Sequence, residues 1–440
     1  MMDCKEAIVV TGMGIISALG ESVFQSMDTL ANGVVEPASP QLPGCTIQKP
    51  VFKARGFDEV RGIDESRGLY ESRGLYESPG IDEARGLYES PGIDEARRFD
   101  KSGWLDIEKQ GESRTLKLAR VAFQEAVTQA GLSDGSDFGI GICSGTTVAS
   151  QLNDIDFYQS FRENRLKSYD AFNHYLSGNL AEALKDSFKA TGPAMTIVNA
   201  CSSATDAIGV AMDWLKAGLC DIAVAGGADE LNRVPISGFN ALGILSAAPC
   251  RPFDAERNGL NLGEGAGFLV LETESSAKKR RAKPIAECCS YATVADAYHL
   301  TSPRPDGSGL ESAIKKALNC AGICEEMVGF INAHGTGTPT NDLIEGKVFK
   351  KMFGSSLDIW ATKGFTGHTL GAAGGIEAVL TISALREQRL FKSAGFATID
   401  HAIGICPVKH EKQICAEYAI STSLAFGGMN SVLIFRNLKL

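Results

Sequence analysis

Short apolar runs alternate with amphipathic helical stretches along most of the chain, and past the midpoint the alternation starts again. Apolar runs bounded by glycine and polar residues read as buried strands. They fall at 7–10, 138–143, 196–200, 221–225, 266–272, 285–294, 328–333, 359–363, 416–423 and 431–435. The T-G-M-G after the first run predicts a turn. Helices are expected at 22–31, 113–130, 312–321 and 375–387, and from Ala204 to a stop at Gly218. Across 113–130, Leu116, Ala119, Phe123, Ala126 and Val127 share one face. Strands and helices in alternation predict an α/β fold with parallel-rich sheets. With 440 residues, 44% of them hydrophobic, the chain can bury a large core as two fused halves, 1–250 and 251–440.

Residues 55–102 break the pattern. They form a hexapeptide repeat: RGFDEV, RGIDES, RGLYES, RGLYES, PGIDEA, RGLYES, PGIDEA and RRFDKS. So few apolar positions per unit make neither a helical stripe nor an alternating strand. A solvated loop insertion is the expectation, with a docking arm as the alternative. With 8 basic against 12 acidic residues, the segment suits an acidic partner poorly. A net charge of −10 likewise argues against nucleic acid. The 12 cysteines are scattered without paired zinc spacing, and no metal is expected. No apolar run reaches membrane length. A cytoplasmic setting fits, with most cysteines acting as small buried hydrophobes.

Three segments carry chemistry. In N-A-C-S-S-A, Cys201 sits where a strand is expected to run straight into a helix. Such a corner exposes the side chain, and a helix N-terminus lowers a thiol pKa, which marks a nucleophile. A buried structural cysteine is the alternative. In N-A-H-G-T-G-T, His334 ends a strand, where α/β sheets bind ligands, and Thr336 and Thr338 offer hydroxyls to an amide-bearing arm. A loop histidine bonded to backbone is the other reading. In K-G-F-T-G-H-T-L-G-A-A-G, Lys363 precedes His368 by five residues, and Glu377 lies on the helix beyond. An inward Lys363 and Glu377 would pair; otherwise both are surface charges. Phe426, in L-A-F-G-G-M-N, is either a gate beside the thiol or a core residue at a hairpin turn.

Taken together, these segments resemble the β-ketoacyl-acyl carrier protein synthases, condensing enzymes of the elongating Cys-His-His kind. V-V-T-G-M-G at Val9, A-G-G-A-D-E at Ala225 and C-R-P-F-D-A-E-R-N-G-L-N-L-G-E-G-A-G from Cys250 extend the resemblance along the chain. It implies a thiolase-like fold, two duplicated βαβ-rich halves forming a five-layered α/β/α/β/α core. The implied activity is that of a 3-oxoacyl-[acyl-carrier-protein] synthase, lengthening a fatty acid or polyketide by two carbons. Cys201 would accept the acyl chain, and His334 and His368 would hold the malonyl thioester. Lys363 and Glu377 would support them, with Asp342 and Glu345 in the same network. Thr336 and Thr338 would contact phosphopantetheine. The N–H groups of Cys201 and Phe426 would form an oxyanion hole.

The resemblance also implies no resident cofactor, since substrates arrive on the phosphopantetheine of acyl carrier protein. A homodimer, or a heterodimer with a ketosynthase-like subunit, would form through an edge strand. The basic run 278–283 and the Lys109/Arg114 region are candidate carrier-docking surfaces, with solvated helix ends as the alternative. Two departures stand out. Ala425 and Met429 replace a glycine and a threonine of the usual terminal motif, and Thr146 stands where an aliphatic acyl-pocket residue is often found. The second leaves room for an alternative: the ketosynthase of an aryl polyene or type II polyketide system, working with a non-catalytic chain-length partner.

Overall fold

The computed structural model describes residues 6–40, 42, 45–56, 113–147, 155–165 and 180–439. Nearly all of the hexapeptide repeat, and Lys109, lie outside the described residues.

The first unit starts with β1 (Ile8–Ile16) and α1 (Val23–Asn32), whose first turn is capped by Ser22. Then come α2 (Arg114–Gln129), β2 (Ile140–Gly145), α3 (Leu180–Phe188) and β3 (Ala194–Ile197). Helix α4 (Ser203–Lys216), β4 (Ile222–Asp229) and β5 (Gly265–Thr273) complete it. The second unit holds β6 (Ala286–Ala295), α5 (Ser308–Ala321), β7 (Val328–Asn332), α6 (Pro339–Phe353) and β8 (Asp358–Trp360). It ends with α7 (Ala373–Glu387), β9 (Tyr418–Ala425) and β10 (Met429–Arg436).

Strand order shows that the second unit repeats the first. The ten strands lie in the order β3-β2-β4-β5-β1-β6-β10-β9-β7-β8. Adding five to each label of the first half gives the second half read from the other edge. In both units the two strands flanking β2 or β7 run parallel to it, and the remaining pairs are antiparallel. The sheet is therefore mixed rather than parallel-rich. By strand order the first unit closes only at Thr273, so we place the division between Thr273 and Ala286 rather than at 250/251.

Side-chain alternation along the strands builds the layers. Ala223, Ala225, Leu433 and Phe435 face a central core shared with Ile208 and Met212 of α4 and Ile376 and Val379 of α7. Their neighbours Ile222 and Val224 face α2 and α3. Val432 and Ile434 face α5 and α6. Two helices in the middle, a sheet half on either side and helices outside give the expected five layers.

Two local expectations give way. β1 continues through T-G-M-G, where a register shift between Val10 and Gly12 absorbs the irregularity and no turn forms. On α2 the deep residue is Leu118, and Leu116 is only half-buried, because the helix face is set by Thr115, Leu118, Ala122 and Phe123.

Candidate active site

The candidate thiol and imidazoles, with Lys363, Thr146 and Phe426, lie beyond the C-terminal end of a strand in the parallel part of its unit. Thr146 follows β2, Cys201 follows β3, His334 follows β7, Lys363 and His368 follow β8, and Phe426 follows β9. This is where open α/β sheets bind ligands. The basic run 278–283 follows β5, which runs antiparallel to β4 and pairs Glu272 with Ile222, the start of β4. It sits at the other end of the strands, about 25 Å from the site by strand rise. Within that run Arg280 is committed to Glu272 and to Ala130 O. Arg114 is held by Glu264 at 2.5 and 2.8 Å. These two arginines hold the fold together and are not free docking charges.

Strand β3 does not run straight into Cys201. It ends at Ile197, and Ala200–Ser202 form a 3-10 turn that leads into α4. Ala200 takes a left-handed φ of 48°. The thiol meets the imidazole of His368, with Nε2 3.0 Å from Sγ. The rings of His334 and His368 stand edge to face, centroids 5.2 Å apart. All three residues are buried.

Behind them lies the support that a buried charge requires. Lys363, itself buried, bonds Glu377 and donates to His334 O at 2.6 Å, and its Nζ lies 3.2 Å from His334 Nδ1. An ammonium donating to Nδ1 leaves the proton of a neutral imidazole on Nε2. Lys363 is not the last residue of a strand, as expected, but the first of a short helix, Lys363–Thr366. Glu345 accepts from the backbone N–H of His334 at 2.7 Å, of Gly335 at 2.8 Å, and from Thr422 Oγ1 at 2.9 Å. Asp342 accepts from Phe253 N at 2.7 Å and from Gly337 N. Both acids hold the histidine loop from behind. The hydroxyls of Thr336 and Thr338 bond each other at 2.9 Å.

Burial dominates the electrostatics. It drives both histidines well below the ordinary imidazole range, helped by the charge on Lys363, so both are neutral near pH 7. Burial also pushes the Cys201 thiol up to about 12; Lys363 and the Phe426 backbone N–H pull it down only in part. The expectation of a lowered thiol pKa is thereby corrected: desolvation of the thiolate outweighs the helix terminus. Cys143, Cys250 and Cys288 are pushed to about 12 as well, so acidity does not single out Cys201. The imidazole at 3.0 Å does.

Phe426 lies beside the thiol at a hairpin turn, but half-buried and not in the core. It occupies the hairpin turn between β9 and β10, and its backbone N–H reaches the Cys201 sulfur. Its ring stacks on Phe239 at 5.3 Å. Left-handed Gly427 and Gly428, with φ 87° and 79°, make the turn. Gly427 N to Leu300 O and Asp296 N to Gly428 O, both 2.7 Å, fasten it.

Thr146 is fully buried, but its hydroxyl donates to Asp229 Oδ1 at 2.6 Å. A polar side chain there does not give a polar wall. Asp229 escaped the sequence reading although A-G-G-A-D-E was noted. It also accepts from Thr147 N and Oγ1 and from Gly371 N at 2.7 Å, tying β2 to the loop that carries His368. A carboxylate closing a glycine-rich strand was the available signal.

Two copies of one α/β unit, with a thiol and two neutral imidazoles gathered where their strands end, define a condensing-enzyme fold of the thiolase-like class. Comparison with known proteins agrees. Residues 55–277 match the family model for the beta-ketoacyl synthase N-terminal domain, and 285–397 that for the C-terminal domain. A 3-oxoacyl-[acyl-carrier-protein] synthase 2 of Staphylococcus aureus N315 is 35% identical over 346 residues, 76% of this chain and 84% of the relative. The enzyme of the same name from Vibrio cholerae is 38% identical over 260 residues, 56% of this chain and 63% of that one. A beta-ketoacyl synthase structure from Burkholderia phymatum superposes with TM-score 0.78 at 25% identity, covering 98% of this chain and 100% of that one. The ketosynthase ApeO in complex with its chain length factor ApeC, from Xenorhabdus doucetiae, gives TM-score 0.72 at 27% identity and 99% coverage of each. The chain belongs to the β-ketoacyl synthase family.

Proposed function

We propose that the protein is a 3-oxoacyl-[acyl-carrier-protein] synthase that condenses an acyl chain held on Cys201 with malonyl carried on acyl carrier protein. The observation that carries this reading is the 3.0 Å contact between Cys201 Sγ and His368 Nε2, with His334 beside it on Lys363.

With burial pushing its pKa up, the thiol is neutral near pH 7. Attack is therefore coupled to proton transfer. As Sγ bonds to the acyl carbonyl carbon, its proton passes to His368 Nε2. The oxyanion is met by the backbone N–H groups of Cys201 and Phe426. The carrier's sulfur then leaves and takes that proton. Malonyl-carrier binds next, with its phosphopantetheine arm along Thr336 and Thr338. The Nε2–H of His334 holds its thioester oxygen, joined by His368 once its single imidazole proton has moved from Nδ1 to Nε2. Carbon dioxide departs, and the electron pair of the broken bond becomes the enolate. The enolate carbon bonds to the acyl carbon, the C–S bond to Cys201 breaks, and the released thiolate takes up one proton. Neutral donors suffice because loss of carbon dioxide forms the carbanion without a strong base. Phe426 gates the acyl pocket beside Thr146.

Cys201→Ser should abolish condensation, whereas Cys201→Gln should leave malonyl decarboxylation running. Intact-protein mass spectrometry after incubation with acyl-carrier protein checks the first step. An acyl adduct mapped to any other cysteine would falsify the assignment.

A second reading draws support from relatives solved with chain length factors, ApeO with ApeC among them. In it the protein is the ketosynthase subunit of an aryl polyene or type II polyketide system, paired with such a partner. Turnover of unsaturated but not saturated primers, dependent on an added partner subunit, would favour it. Either reading is compatible with a cytoplasmic setting, where the free thiols of the described cysteines would persist. No helix among the described residues is long and apolar enough to cross a membrane.

A further inference from the structure

The sulfur of Cys201 stands on a turn that its backbone would not choose unaided. Ala200 holds a left-handed φ of 48°, a conformation only glycine adopts freely. Such a backbone persists where its surroundings over-determine it. Part of the restraint is internal. Ser203 Oγ accepts from Asn199 N at 2.8 Å and donates to Ala200 O at 2.6 Å.

The rest comes from Asp206, on the first turn of α4 and 5% exposed. Its Oδ2 accepts from Asn199 Nδ2 at 2.6 Å and from Ser202 Oγ at 2.8 Å. Its Oδ1 accepts from Tyr291 Oη at 2.9 Å and from Ser431 Oγ at 2.5 Å. Asn199 and Ser202 bracket Ala200 and Cys201. Tyr291 lies on β6 and Ser431 on β10, both in the second unit. One oxygen thus holds the nucleophile's turn and the other holds the opposite unit.

We infer that Asp206 is a positioning residue: it clamps the Asn199–Ser202 turn to β6 and β10 and so sets where the Cys201 sulfur stands relative to His368. This rests on Cys201 being the acyl-accepting sulfur. Without the carboxylate, the half-buried Asn199 amide and Tyr291 hydroxyl lose their acceptor, and Ser202 and Ser431 keep only Asn199 O and Thr293 Oγ1. The strained turn then relaxes, and the Sγ–Nε2 contact lengthens. The imidazoles stand on other loops, braced by Glu345 and Lys363. Decarboxylation, which does not use the sulfur, is therefore far less affected than acyl transfer.

The test is Asp206→Ala, assayed below its melting temperature. Three rates are read: acyl transfer from acyl-carrier protein to Cys201, alkylation of Cys201 by iodoacetamide, and malonyl decarboxylation in a Cys201→Gln background. Acyl transfer and alkylation should fall about tenfold or more, while decarboxylation stays within about threefold of Cys201→Gln alone. Acyl transfer within about twofold of the parent would overturn the inference. So would decarboxylation falling as far as acyl transfer, because Asp206 would then merely support the fold. Should the alanine variant fail to fold, Asp206→Asn takes its place. It keeps one oxygen for the turn but presents an amide to the hydroxyls of Tyr291 and Ser431, so acyl transfer and alkylation should both fall by about threefold or more with decarboxylation spared; a smaller fall, or equal losses in transfer and decarboxylation, again overturns the inference. If Cys201→Gln itself does not decarboxylate, the proposed function fails at that step, and the alkylation rate alone decides the role of Asp206.

Discussion

At the residue scale, burial fixes the protonation states. His334 and His368 sit well below the usual imidazole range because desolvation and the charge on Lys363 disfavour their cations. An ordinary imidazole would protonate near pH 6.5 and lose its neutral form below that. The decarboxylation rate of Cys201→Gln should therefore stay level as pH falls from 7.5 to about 6, in contrast to an unperturbed histidine. A rate halved near pH 6.5 would show that the imidazoles titrate normally. The family resemblance implied Cys201, both histidines, Lys363 and Glu377 as one cluster, and the fold brings them together; taken singly, each had left a structural alternative open. The sequence misjudged the thiol, whose acidity follows from desolvation rather than from its place at a helix terminus.

At the element scale, duplication explains the site. Ala200, with φ 48°, precedes Cys201 and α4; Leu370, with φ 53°, precedes Gly371 and α7. Gly371 thus occupies in the second unit the place of the nucleophile in the first. The units trade contacts at these positions: Phe426, after β9, reaches Cys201, and Asp229, ending β4, holds Gly371 N. Close approach makes this possible. A Cβ on Gly145 would lie 2.3 Å from Ala204 N, at the start of α4. Gly145→Ala must push the nucleophile helix off β2, costing about 1–3 kcal/mol or more in denaturant unfolding and slowing acyl transfer. Unchanged stability would mean the two elements have slack.

Glu125, on α2, joins elements in another way, accepting from Ile15 N at 2.9 Å and Val23 N at 2.8 Å. Burial raises its pKa from 4.5 to about 7. The folded state therefore keeps a proton that the unfolded chain releases above about pH 4.5. Its contribution is present below that pH and is lost as pH rises through 7, about 3 kcal/mol in all. Glu125→Gln should flatten the fall in melting temperature over that window; an unchanged slope would mean the carboxyl does not titrate there.

At the scale of the whole molecule, the open question is what covers the sheet's edges. β3 is one edge, and along it Met195 is 43% exposed and Val198, just beyond, 64% exposed. No other strand among the described residues pairs with that edge, and apolar residues there invite strand pairing. Pairing of β3 with the same strand of a second copy, or of a ketosynthase-like partner, would cover both. If that pairing forms a dimer, Met195→Asp with Val198→Asp should convert it into monomers by light scattering without a loss of helix content. Dimers that persist would place the interface elsewhere.

The sequence by itself determined most of the elements, and its motifs pointed through a family resemblance to the chemistry. Apolar periodicity and glycine punctuation are local, so strands such as 266–272 and helices such as 375–387 fall within a few residues of those observed. The helix at Pro339–Phe353 was not anticipated, because its buried face includes Asn341, Asp342 and Glu345, which carry no apolar signal. Tertiary structure alone decided that Cys201 and His368, 167 residues apart, stand 3.0 Å from each other. It also decided that the imidazoles are neutral and that Asp206 and Asp229 bind one unit to the other. Distance and desolvation arise only when remote segments pack together, and no window of sequence contains both partners.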